Sequence, residues 1–385
     1  MQKAVVFCYI QNFEFKYIKR GNKMQKTTRR QFVQQMATTI GGIALSGPTM
    51  LFAQNKPIKI GVYAPSHCSL PPVHAFHMKL YQKNGVNVEI VYCKEMLDIV
   101  NKLYAGDVEF AQLMSPIILQ MHSGQMKSKH VPLAVTQVLG TNGGILGISS
   151  QSKIKKIQDL AGKCIGVHSP LMVHYLIMQL LLDKYGLSQK NVDIKTVPMH
   201  RIRQALVSGE IDGFINPEPL PALLESQSIS RSLLQTRMFW LNHPCCLLTC
   251  RKSYFKKNQQ MVEDVTRATA TSCLMLNSIA MRKSQIEKIY AFHTPFNKIP
   301  LEQLQQAFQP RRSDFFPFPF LSSAYVIVEQ MKKAKLLPES LKVKAFAKDV
   351  FQSNFAMRII EQASSLVPGT SIPSSIERNE TFKLI

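Results

Sequence analysis

Three things are scarce in this chain. It has no uninterrupted apolar stretch as long as a membrane-spanning helix needs; the nearest, Ala37 to Ala53, is broken by Gly41, Gly42, Gly47 and Pro48. Acidic residues are few, 24 against 47 Lys and Arg, which leaves a net charge of +23. Motifs for covalent or phosphoryl chemistry are missing: there is no Gly-x-Ser-x-Gly, no phosphate loop and no Cys/His/Asn order, so catalysis has no support. Nucleic acid is disfavoured too, because no basic run is interleaved with aromatics as a stacking platform requires. A positive field of this size favours anions and anionic envelope surfaces.

What is present first is an export signal. Thr28-Arg29-Arg30-Gln31-Phe32-Val33 precedes the weakly apolar segment, and a paired arginine with a following phenylalanine reads as a twin-arginine signal. The expected leader is 1–53, with cleavage after Ala53 and with translation starting at Met24 as an alternative; no cysteine stands where a lipoprotein signal needs one. Residues 1–53 hold eight Lys/Arg and one Asp/Glu, so the remainder keeps 39 minus 23, or +16. A periplasmic product follows. Of eight cysteines, removal of Cys8 with the leader leaves seven, an odd count that forbids complete pairing within one chain.

The rest of the chain says one thing twice. Lys102 to Pro116 reads KLYAGDVEFAQLMSP and Gln204 to Pro219 reads QALVSGEIDGFINPEP. In each, a β-type run (Val86 to Val91, Val192 to Val197) precedes a short helix, then Leu-x-x-Gly-acid-aliphatic-acid, then a proline. Gly106 and Gly209 stand where helices take a left-handed cap, and the acids lead into the next strand. Two such α/β units facing each other create a cleft for a ligand. Further strands are expected at Pro57 to Tyr63, Leu133 to Leu139, Ile145 to Ser149, Lys163 to Val167 and Cys246 to Cys250. Helices are expected from Pro72 to Asn84, over Lys153 to Gly162 and over Leu171 to Tyr185.

In this order the chain resembles the solute-binding proteins of ABC importers for nitrate, bicarbonate and sulfonates. The pieces that carry the likeness are Tyr81 to Val91, Gly106 to Pro116, Asn142-Gly143 before a strand, Ser169 to Leu182, Gly209 to Pro219, His243-Pro244 and Phe318 to Leu336. The resemblance implies an α/β, two-lobed fold of the periplasmic-binding-protein type II class, with an open, mostly parallel sheet in each lobe and the ligand cleft between them. Lobe one would comprise 55–140 plus about 241–385, and lobe two 150–240. The implied function is capture of a small, anionic solute without chemical change, for a membrane permease and its ATPase. A ligand sensor and a pyrimidine-synthase-like enzyme are the rivals on the same scaffold. No cofactor is implied.

Carried over by position, His174 falls where the nitrate/bicarbonate branch has a ligand-contacting histidine. Pro170-Leu171 lies at a helix start able to offer backbone N–H groups. Asn142, Gly143, Ser115, Pro116 and Glu218 would line the cleft, with His67 at the first loop's aspartate-like position. Where the branch has Glu and Lys after His-Pro, Cys245 and Cys246 stand here; the branch's tryptophan near Cys93 to Met96 is absent, and Gly144 replaces its glutamine. A less polar or thiophilic ligand than nitrate is implied. His67, Cys68, His74 and His77 suggest a metal set, with Cys245, Cys246 and Cys250 as soft additions suited to Cu(I) or zinc, although the spacing matches no closed zinc pattern and burial explains it as well. Phe315 to Phe320 reads as either a docking element or loop packing.

Overall fold

The computed structural model describes residues 16–20, 23–27, 56–126 and 130–384. The chain divides into two units, residues 1–55 and 56–385. In the first, strand β1 (Lys16–Arg20) pairs antiparallel with β2 (Lys23–Thr27). The twin-arginine segment and the apolar run behind it lie outside the described residues.

The second unit carries two five-stranded sheets. The first is built from β3 (Ile58–Tyr63), β4 (Val88–Cys93), β5 (Phe110–Met114) and β6 (Leu133–Thr141), and the chain then leaves for β7 (Gly144–Ser149) of the second. There it adds β8 (Cys164–Val167), β9 (Asp193–Thr196), β10 (Gly213–Pro217) and β11 (Ser230–Gln235), and returns as β12 (Pro244–Arg251). The orders are β4-β3-β5-β12-β6 and β11-β7-β10-β8-β9. In each sheet four strands run one way and one is reversed, β12 in the first and β7 in the second. Both reversed strands are the ones that follow a crossing between sheets. The α/β, open-sheet architecture expected from the repeat is what the chain adopts.

The repeat has a structural cause. Its two copies build the central strands β5 and β10, and Gly106 and Gly209 sit at φ of 86° and 74°, the left-handed caps that the motif requires. The second acid of each copy reaches sideways: Glu109 accepts the Lys59 N–H at 2.8 Å and Asp212 accepts the Cys164 N–H at 2.9 Å. Each carboxylate thus fixes the start of the parallel strand beside it. Ser115-Pro116 and Glu218-Pro219 then turn both chains into helices, Ser115–Ser123 and, after Pro219, Leu220–Ser226.

Two expectations are corrected, and for Phe315 to Phe320 the loop-packing reading is the one that holds. The helix to Asn84 is broken into Leu70–His77 and Leu80–Lys83, because Lys79 adopts a φ of 57°. Over Lys153 to Gly162 only a 3-10 turn forms, Ile157–Leu160; the Asp159 carboxylate accepts the N–H groups of Lys155 and Lys156 and pins the chain in a tighter shape. Phe315 to Phe320 is no docking element: Phe315, Phe318 and Phe320 are buried, and the segment hydrogen-bonds along β6 through Thr141 and Val138. Behind β6, the helix Gln259–Asn277 packs on the C-terminal helix Ser353–Ser364, and both, with Val343–Val350, contact that strand. Among the described residues no helix is long and apolar enough to cross a membrane.

Candidate functional site

Strands ending at a common edge leave a crevice there, and the C-terminal ends of both sheets meet across one. The cavity between them holds about 290 Å³. The first sheet contributes the turn after β3 (Tyr63 and Pro65 to Cys68), Met96 after β4, Met114 at the end of β5, and Cys245 and Cys246 at the start of β12. The second contributes Met172, Met199, His200, and Pro217 to Leu220 after β10. Tyr63 reaches over the gap and donates its hydroxyl to Met199 Sδ at 3.8 Å. No lysine or arginine lines this wall, and sulfur and imidazole dominate it.

The floor is formed around the crossing from β6 to β7. The glycines there are required by close approach: a Cβ on Gly143 would lie 2.7 Å from His67 Nε2, and one on Gly144 2.6 Å from His174 Nε2. The two imidazoles are therefore pressed against bare backbone. Burial lowers His67 to about 4 and His174 to about 3, so both are neutral at physiological pH. His174 is fully buried, and among the described residues neither of its ring nitrogens has a hydrogen-bond partner. Thr236 donates its hydroxyl to the Gly144 carbonyl at 2.9 Å, so His243 Nε2, 2.8 Å from the same oxygen, must be the donor to it. That leaves His243 Nδ1 unprotonated and also without a partner. Ser115 Oγ and both side-chain polar atoms of Asn216 are buried and unpaired as well.

Buried polar groups normally find partners, and each one left alone costs about 1–3 kcal/mol. Several of the unpaired atoms lie near the ends of the central strands, Ser115 after β5 and Asn216 in β10.

The thiols meet at the same floor. A bulge where β12 pairs with β6, between Pro244 and Leu247, breaks the strict alternation of side chains, so Cys245 and Cys246 both border the cavity. Cys68, Cys245 and Cys246 are hydrogen-bonded to one another, and Gln112 Nε2 donates to Cys246 Sγ at 3.4 Å. With the Cys245 and Cys68 thiols and the Gln112 amide all donating to it, Cys246 is held below the ordinary thiol range, while burial drives Cys68 well above it.

The sequence-derived residues divide. His67, Cys246 and Glu218 border the cavity. Glu218 does not offer its carboxylate to a ligand: Oε1 accepts from Arg312 Nε at 2.5 Å and Oε2 from the Ala222 N–H at 3.1 Å. Burial nevertheless raises it to about 7 against the pull of Arg312. His174, Ser115, Gly143 and Pro116 do not border the cavity and are buried, Pro116 in the first turn of its helix. Asn142 is turned away into a structural network. Its amide donates to Asn242 Oδ1 and to Asp314 Oδ2, both at 2.8 Å, and its oxygen accepts the Asn242 N–H at 2.6 Å. Pro170 and Leu171 precede the helix rather than open it, because the helix is Val173–Lys184; the wall residue is Met172. His74 is satisfied by Ser272 and Gln285, and His77 stacks on Phe292, so neither joins His67. Cys250 sits at the far end of β12.

Sequence reasoning missed the methionines, Gln112 and Arg312. Met96, Met114, Met172 and Met199 each stand at or within a few residues after the end of a strand that points to the cleft, which was the signal available.

Comparison with known proteins agrees with this architecture. The structure is similar to that of the periplasmic nitrate-binding protein NrtA from Synechocystis PCC 6803, with a TM-score of 0.72 at 17% identity over 85% of this chain and 93% of that one. By sequence it is similar to the nitrate import ATP-binding protein NrtC of Synechococcus elongatus, 21% identical over 54% of this chain and 33% of the relative. It is also similar to the bicarbonate-binding protein CmpA of the same organism, 22% identical over 62% of each. The chain thus spans between a third and two thirds of the length of these curated relatives. The sequence model of the NMT1-like family matches residues 53–289, more than half of the chain, and the protein belongs to the NMT1-like family.

Proposed function

We propose that this protein is the solute-capturing component of an importer, exported to the periplasm by the twin-arginine pathway and working with a membrane permease and ATPase. The likeness to a nitrate-binding and a bicarbonate-binding protein, and to the ATP-binding protein of a nitrate importer, supports that reading. The observation that carries it is the fully buried His174, without a ring-nitrogen partner among the described residues and packed against Gly144 behind a cleft where two sheets meet. Two short crossings join those sheets, the arrangement that lets two lobes close on a ligand. The proposed task is binding and release of the solute without chemical change.

The wall restricts the solute. An anion is favoured by the relatives, but with no lysine or arginine on the wall it is held by neutral donors, with its body against methionine and cysteine sulfur. An anion with an apolar part, such as a small organic sulfonate, fits this better than nitrate, which has no apolar part to lay against the sulfurs.

Thermal-shift measurement on the mature protein against nitrate, nitrite, bicarbonate, methanesulfonate and propanesulfonate tests this. A solute at 100 times its Kd stabilises by about 2.7 kcal/mol. Sulfonates should raise the melting temperature more than nitrate does, and His174→Asn should abolish the rise. No shift from any of these anions would reject the anion reading. Export is tested separately: replacing Arg29 and Arg30 by lysine should strand the protein in the cytoplasm, and continued appearance in the periplasm would reject the twin-arginine route.

A further inference from the structure

The geometry points to a thiophilic metal site at the cleft floor, with His67, Cys68 and Cys245 as ligands and monovalent copper as the matched ion. Their three donor atoms lie within 4.8 Å of one another, and all three residues are buried. Among the described residues this is the cluster of metal-capable groups that converges this way. The site goes beyond solute capture and does not rest on it.

The cluster is assembled from distant parts of the chain and is stiff before any ion arrives. His67 and Cys68 sit on a 3-10 turn closed by a reciprocal pair: Ser69 N–H donates to Ser66 Oγ at 3.2 Å, and Ser66 N–H to Ser69 Oγ at 3.1 Å. Cys245 comes from the bulged start of β12. Cys68 Sγ is 3.4 Å from His67 Nε2. With metal–sulfur bonds of about 2.3 Å, a trigonal ion needs donors about 4 Å apart and a linear one about 4.6 Å. The observed spacing accommodates either with little movement.

The chemistry of the donors selects the ion. Thiolate and imidazole with thioether neighbours are soft, which suits Cu(I) and zinc and excludes magnesium and calcium. The nearby carboxylate, Glu218, is engaged by Arg312 and the Ala222 amide and offers no hard oxygen. Structural zinc takes four ligands. Three donors, with the sulfurs of Met114 and Met172 on the same cavity wall, match the lower coordination number of Cu(I). Binding two thiolates and a neutral imidazole releases two protons and leaves the Cu(I) centre with one net negative charge.

The test is anaerobic competition of the reduced, mature protein with a chromophoric Cu(I) chelator, and a parallel competition with a zinc indicator. One Cu(I) per chain is expected, bound more tightly than zinc. Cys68→Ser and Cys245→Ser should each weaken it by more than the 10–100-fold that loss of an outer-shell partner costs, with Cys164→Ser and Cys250→Ser without effect. Because the cluster variants also perturb the core, X-ray absorption of copper-loaded wild type provides an independent reading, with sulfur and one nitrogen as scatterers expected. Tighter zinc than copper, copper held equally by the Cys68 and Cys245 variants, or an oxygen-only shell would overturn the assignment. So would a Cys68–Cys245 disulfide in protein taken from the periplasm without reductant.

Discussion

Two buried polar clusters flank the same short turn, and they are opposites. On one side of the β6 to β7 crossing, Asn142 and Asn242 exchange hydrogen bonds between the two crossing segments, Asp314 accepts from Asn142, and Arg282 pairs with Asp314. Both asparagines adopt positive φ, 63° and 55°, which short amide side chains tolerate better than most. On the other side, His174, His243, Ser115 and Asn216 leave buried donors and acceptors unanswered. The first cluster answers its own polar groups and so ties the two crossings together; it is structural. The second is left incomplete among the described residues, and under the proposed function a bound solute completes it. Burial and polarity alone do not separate the two, but satisfaction does.

Acid should break the incomplete side and is the largest effect. His67 is held at about 4 and His174 at about 3, each by burial, whereas in the unfolded chain both titrate near 6.5. Their folded values are depressed, so the unfolded chain takes up protons first, and stability present above 6.5 is lost as pH falls towards 4. Each contributes on the order of 3 kcal/mol. Glu218 opposes this: its folded value is raised to about 7, so its contribution is greatest below 4.5 and is lost as pH rises through 7. Two histidines outweigh one glutamate, and urea unfolding should show a marked net loss of stability between pH 7 and pH 4.5.

Asn142→Ala sharpens the contrast. It removes three hydrogen bonds to half-buried partners and puts a less tolerant residue at positive φ, so a loss of about 3 kcal/mol in denaturant unfolding is expected. The smallest effect belongs to the floor. His174→Asn removes groups that have no protein partner, and the unliganded protein should change by about 1 kcal/mol or less, while solute-dependent stabilisation disappears. Equal losses from the two substitutions would erase the distinction.

Much of the fold was legible because the repeat has local causes. Gly106 and Gly209, the acids Glu109 and Asp212, and the closing prolines act within a few residues or on the adjacent strand, and their pattern is visible in the chain. The crossings were legible as well, since Asn142-Gly143 and His243-Pro244 each precede a strand. The site was only half legible. His174 and His67 follow from position in a known scaffold, but the convergence of Cys68 with Cys245 depends on a bulge in β12, a register effect between distant strands with no local signature. The same applies to Glu218, whose carboxylate is taken by Arg312 from 94 residues further on. Asn142 was carried to the cleft together with Gly143 by the resemblance, but its amide is taken by Asn242 and Asp314.

The most direct test of that division is the melting temperature of the unliganded protein for wild type, Asn142→Ala and His174→Asn, measured side by side at pH 7. A large drop for Asn142→Ala with little change for His174→Asn is the result this account predicts. A drop for His174→Asn as deep as that for Asn142→Ala would mean that the unpaired histidine holds the fold together, and would contradict it.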